Sequence, residues 1–158
     1  MNTSALKKAM DELGEDLVKG IVKELIDADK VATGNLVRSI DYRLIETADM
    51  LIVELLAAPY LKNVDKGRKP GATPPPIGPI MKWASVRKIK QYRNKKSGRF
   101  ISNVARAVII SKSISKNGIK GINKVRKTID DIYSKKKQLI EKAAGEDLKD
   151  MIDKIIIQ

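Results

Sequence analysis

The 158-residue chain contains no cysteine and no histidine. Without cysteine there are no disulfides and no thiolate chemistry, and the redox compartment is left open. Without histidine the commonest general base, the usual catalytic triads and almost every transition-metal site are removed. Aromatic residues are few: Phe100, Trp83, Tyr42, Tyr60, Tyr92 and Tyr133. The core must therefore be aliphatic, and stacking platforms for single-stranded nucleic acid are scarce. No apolar run approaches the roughly 18 residues of a membrane span, and the first residues lack the apolar stretch of a signal peptide. These absences predict a soluble protein made in a cytoplasm, with no membrane contact, no metal and no cofactor.

What the chain does carry is positive charge, unevenly placed. The net charge is +13, yet residues 1–61 hold 7 Lys/Arg against 11 Asp/Glu, and residues 138–158 hold 3 against 5. Residues 62–137 hold 22 against 3. A basic middle between two mildly acidic ends attracts nucleic acid or an acidic protein surface over about a Debye length of 8 Å at physiological salt.

Size and periodicity predict one α+β domain. Leu6, Met10, Leu13, Leu17, Ile21 and Leu25 recur at spacings of three and four, so a helix is expected over 4–29, capped by Thr3 or Ser4. Alternation from Leu36 to Leu44 and from Leu51 to Leu56, around a turn at Glu46-Thr47-Ala48-Asp49, predicts a small antiparallel hairpin on that helix. These elements make up residues 1–59. A basic, proline-rich loop is expected over 60–79, where Pro74, Pro75 and Pro76 fix φ and form a stiff spacer standing away from the core. Residues 80–158 read as helical: Ile80, Trp83, Ala84 and Arg87 on one helix, then Val104, Ala105, Val108, Ile109 and Ile114 on a second that stops at Asn117-Gly118. A long C-terminal arm follows from Ile122, interrupted near Gly145, with its apolar end docked on the domain or on a partner.

A search for chemistry returns little. Gly67, Gly71 and Gly78 match neither the Walker nor the dinucleotide-binding spacing, and the prolines beside them remove backbone donors from any phosphate cradle. Asp130-Asp131 and Glu146-Asp147 are adjacent carboxylates that point about 100° apart on a helix, so they read as solvated charges. No nucleophile and base can be paired, and a non-enzymatic protein is expected.

The order of short motifs is more specific than any one of them. Thr33-Gly34-Asn35-Leu36 with Arg38-Ser39-Ile40 precedes the hairpin, which ends at Ala58-Pro59-Tyr60. Val64-Asp65-Lys66-Gly67-Arg68-Lys69-Pro70 follows, then Pro75-Pro76-Ile77 before Lys82-Trp83-Ala84, and Asn117-Gly118-Ile119-Lys120-Gly121 before the last helix. Over roughly residues 5 to 140 this succession resembles the tail-completion and head-tail joining proteins of tailed bacteriophages. The chain departs from that pattern at Ile122-Asn123-Lys124-Val125, where many members carry an Arg-Pro-Phe segment, and in a longer extension after Lys142.

The resemblance implies a virion protein of the neck, made in the host cytoplasm. It would be a subunit of a six-fold or twelve-fold homo-oligomeric ring between capsid and tail, with portal, adaptor or tail proteins as neighbours and possible non-specific contact with genomic DNA. On this reading the loop residues Tyr60, Lys66, Arg68, Lys69, Pro74, Pro75 and Pro76 meet a partner. The alternative class is a free basic protein that binds nucleic acid without sequence preference, setting Lys95, Lys96, Arg99, Lys124, Arg126 and Lys127 on phosphates.

Overall fold

Helix α1 (Ser4–Asp27) buries Leu13, Leu17, Ile21 and Leu25 of the predicted stripe together with Ala9, while Leu6 and Met10 are half-buried. Two glycines sit within it, one against each neighbour. A Cβ on Gly14 would lie 2.2 Å from the Tyr42 ring of the hairpin, and one on Gly20 would lie 2.5 Å from Ile132 of the last helix. The helix is thus packed on two sides, and its glycines mark the points of closest approach. The computed structural model describes residues 4–47, 49–90, 93 and 97–156.

Helix α1 ends with Asp29 in the left-handed region (φ 51) while the Lys30 amide donates to Leu25 O at 2.9 Å. Arg87 then grips that end: its guanidinium lies 2.7 Å from Asp29 Oδ1 and also donates to the Asp29 carbonyl. A cation at a helix C-terminus complements the macrodipole, so the contact both stops α1 and holds the segment that carries Arg87.

The next segment corrects the predicted strand start. Gly34 (φ 75) turns the chain into a short helix α2 (Asn35–Arg38), and strand β1 begins only at Asp41 (Asp41–Glu46). Leu36 and Ile40 are both buried because they are a helical turn apart and drop into one core, not because they alternate along a strand. β1 pairs antiparallel with β2 (Leu51–Leu56), with Tyr42 opposite Leu55 and Leu44 opposite Val53. Of the expected turn, Ala48 lies outside the described residues.

The stretch predicted as a 60–79 loop holds a helix α3 (Leu61–Lys66) and a two-residue strand β3 (Gly67–Arg68) before the chain becomes irregular. Helix α4 (Ile77–Val86) starts three residues earlier than expected, and α5 (Asn103–Asn117) is capped by Ser102, whose Oγ accepts from the Ala105 amide at 3.2 Å. β4 (Ile119–Lys120) pairs antiparallel with β3. Helix α6 (Val125–Ile156) is continuous through Gly145, so the expected interruption is absent.

α6 runs antiparallel to α1. Lys124 meets Glu24 at 2.7 Å, and Lys136 lies 3.1 Å from Asp16 and 3.4 Å from Glu12. Asp147 accepts from the Ala5 and Leu6 amides. The core lies where α1, α2, the hairpin, α3 and the start of α6 converge: Ile21, Leu25, Leu36 and Ile40, ringed by Leu55, Leu61, Val64, Ile122 and Ile129. Burying Ile21 and Leu25 completely contributes about 1.5–3 kcal/mol for each side chain.

Candidate functional site

The feature that organises the basic middle is a crossing of two backbone segments. β3 and β4 form only two rungs, Gly67 opposite Lys120 and Arg68 opposite Ile119, and three glycines let them approach closely. A Cβ would lie 2.2 Å from Ile119 O at Gly67, 2.3 Å from Arg68 O at Gly118, and 2.1 Å from Asp65 O at Gly121. Gly67 and Gly118 also hold positive φ, at 76 and 71. No other residue satisfies both demands without moving the chain.

Below the crossing, Asp65 anchors α6. Its Oδ1 accepts from the Lys124 and Val125 amides at 3.0 and 3.1 Å, and its carbonyl accepts from Asn123 N. This carboxylate serves as the N-cap of α6 from another element, satisfying donors that the helix start leaves unpaired. Its negative charge sits at the N-terminal end of α6, where the macrodipole favours it.

Above the crossing, the proline segment is strapped to α5. The Gly71 amide donates to Ser115 O (2.7 Å), Ser115 Oγ donates to Ala72 O (2.6 Å), and Ser111 Oγ donates to Pro75 O (2.7 Å). Pro76 keeps the extended conformation its ring favours (φ −57, ψ 141). Contrary to expectation, the segment is laid along its own chain and does not stand away from it. A proline run has carbonyls and no N–H donors, so it needs hydroxyl partners, and α5 turns Ser111 and Ser115 toward it.

This demand explains a second correction. The buried positions of α5 are Arg106, Ala107 and Ser111, whereas Val104 and Ile109 of the predicted apolar stripe are more than half exposed. Arg106 donates to Ile89 O at 2.6 Å, tying α5 to the end of α4. Trp83, Val86 and Phe100 are likewise exposed.

The predicted loop contacts divide. Lys66 and Lys69 are exposed, and Pro74 and Pro76 face outward, while Pro75 is half-buried. Arg68 is half-buried: its guanidinium donates to Thr73 O within the loop, and its Nε is buried. Tyr60 opens α3 and lines a small pocket with Leu25, Val31, Leu36 and Val64. At about 90 Å³ that pocket is far smaller than the roughly 300–1,000 Å³ of small-molecule sites.

The residues of the predicted basic patch differ in their surroundings. Lys124 pairs with Glu24, whose hydrogen bond and charge raise the lysine pKa, and Arg126 pairs with Asp130 at 3.1 Å. Lys127 and Arg99 are exposed on separate elements, and Lys95 and Lys96 lie outside the described residues. Sequence reasoning missed Lys116 and Lys120, whose signal was their place on either side of Asn117-Gly118. The register sets Lys120 opposite Gly67, the residue after Lys66, and Lys116 lies in the last turn of α5.

Among the described residues no group of His, Cys, Asp and Glu is placed to hold a metal ion, and no helix is long and apolar enough to cross a membrane. Comparison with family models, with curated proteins and with solved structures returns no match.

Proposed function

We propose that the protein is a structural, non-enzymatic subunit of a bacteriophage neck, assembling into the ring that joins the DNA-filled head to the tail. One observation carries the reading beyond the order of motifs. The β1–β2 hairpin is covered by α1 on one face only; among the described residues neither edge has a third strand, and Ile52 and Leu56 are exposed on the open face. A lone two-stranded sheet is marginal in water, and open edges invite pairing. A ring supplies what the fold leaves out, because each subunit's hairpin lies beside its neighbour's and no edge is left over once the circle closes.

The test is the mass of the full chain in solution, by light scattering after size exclusion, with negative-stain images of the peak. Rings are expected for the natural sequence, alone or with portal and tail proteins, and monomers for Ile52→Lys with Leu56→Lys at unchanged circular dichroism. A natural chain that remains monomeric with those partners present would overturn the proposal.

A further inference from the structure

We infer that the crossing of β3 and β4 binds the phosphate backbone of duplex DNA, through Lys66, Lys69, Lys116 and Lys120. The inference rests on the neck reading for the source of that DNA, but its surface and chemistry are argued from the crossing alone.

The first argument is placement. Lys66 and Lys69 flank β3, Lys120 lies in β4, and Lys116 sits in the last turn of α5, where Gly71 N bonds to Ser115 O. Consecutive Cα atoms are at most about 3.8 Å apart and paired strands about 5 Å apart, so the four Cα atoms lie within roughly 20 Å of one another. Duplex DNA presents one charge per about 1.7 Å of axis, so a strip this long faces several phosphates. One helical turn earlier on α3 and on α5, Lys62 and Lys112 extend it at both ends.

The second argument is pairing. Elsewhere several lysines are held in ion pairs: Lys7 with Glu46 and Lys19 with Glu15 on α1, Lys124 with Glu24 just before α6, and Lys136 with Asp16 and Glu12 on α6. At the crossing all four lysines are exposed, and none has a carboxylate partner among the described residues. Asp65, the acid nearest in sequence, is committed to the amides of Lys124 and Val125. Lys30 adds a further cation, its Nζ donating to Lys120 O at 3.3 Å.

The third argument is rigidity. Three interlocked glycines fix the backbone from which the lysines project, so docking orders side chains only and not the loop. No aromatic residue lies in either strand, which leaves no platform for unstacked bases and favours a double-stranded backbone over a single strand. Contacts confined to phosphate carry no sequence information.

The experiment is fluorescence anisotropy of the full chain with a labelled duplex of arbitrary sequence, titrated at several salt concentrations. Four phosphate contacts give a slope of log K against log salt near −3.6, or about a 150-fold loss of affinity between 50 and 200 mM. Lys69→Gln with Lys120→Gln should reduce that slope by about 2, while Lys69→Arg with Lys120→Arg keeps it. Lys23→Gln with Lys135→Gln, exposed positions away from the crossing, should leave it within about 0.5.

Equal reductions from the two Gln pairs would overturn the inference in favour of diffuse attraction. Unchanged DNA binding by the crossing pair, with loss of association with neck proteins, would overturn it in favour of an acidic protein surface. Failure of the neck reading is separate: it would appear as absent rings while the crossing variants still alter the salt slope.

Discussion

Asp147 accepts a hydrogen bond from the Leu6 amide at 2.8 Å, so the side chain that caps the first helix arrives 141 positions later in the chain. The same oxygen pair takes the Ala5 amide at 3.1 Å, and the carboxylate is only 5% exposed. Asp65 does the same for α6, accepting from Val125 N. Each long helix therefore begins on an acid from another element, which fixes where it starts and what it starts against.

Removing the α1 cap should destabilise the fold. Asp147→Ala is expected to cost about 1–2 kcal/mol, since it leaves two amides at a helix start without their acceptor. Asp150→Ala, one turn on and exposed, should stay within about 0.5 kcal/mol. Urea unfolding of the two variants measures the difference, and equal midpoints would show that water replaces Asp147.

Glycine substitutions should rank by backbone space. Gly71 and Gly118 both have positive φ, at 81 and 71, but a Cβ at Gly71 meets nothing within 4 Å, whereas one at Gly118 would lie 2.3 Å from Arg68 O. Gly71→Ala should cost only the left-handed penalty, about 1–2 kcal/mol. Gly118→Ala adds an opened crossing and should cost about 3 kcal/mol or more, with faster tryptic cleavage after Lys66 and Lys116. Similar costs would mean that the crossing relaxes without losing its bonds.

The Tyr42–Asp11 contact should give an alkaline signature. The Tyr42 hydroxyl donates to Asp11 Oδ1 at 2.6 Å, and that bond, with burial and the charges of Asp11, Glu15 and Asp41, pushes the phenol pKa from 10.0 up to about 12. Folding favours the protonated phenol. Its contribution is therefore complete below pH 10 and is lost as pH rises through about 12. The stability difference between the natural protein and Tyr42→Phe should be constant below pH 10 and shrink above it, by urea unfolding at stepped pH. A difference independent of pH would show that the bond to Asp11 does not persist in solution.

Local pattern was enough for some of this fold. The stripe from Leu13 to Leu25, the β2 strand and the stop at Asn117-Gly118 were legible because each depends on neighbours within a turn or two of chain. Residues Leu36 to Ile40 were ambiguous, since two apolar residues four apart with one between them fit either period. Asp147 was read as a solvated charge because nothing near it in sequence shows that α1 begins at its side. The buried face of α5 was missed for a related reason: periodicity weighs apolar residues, whereas Ser111 and Ser115 are turned inward by carbonyls about 40 residues away. The pairing of Lys124 with Glu24 was not legible, because the two are far apart in sequence and meet only in three dimensions.

The antiparallel pairing of α1 with α6 also sets an order in time. A chain emerging from the ribosome has α1 and the hairpin available early, but Gly20 waits for Ile132 and the Leu6 amide waits for Asp147. At about 5–20 residues per second, several seconds pass between the synthesis of α1 and that of its partner helix. During that interval α1 has α2, the hairpin and α3 against it, but the side that meets α6 stays uncovered. Closure comes with α6, so the fold is completed only after the whole basic middle has been translated, and a chain that stalls before residue 125 lacks the helix that covers the second side of α1.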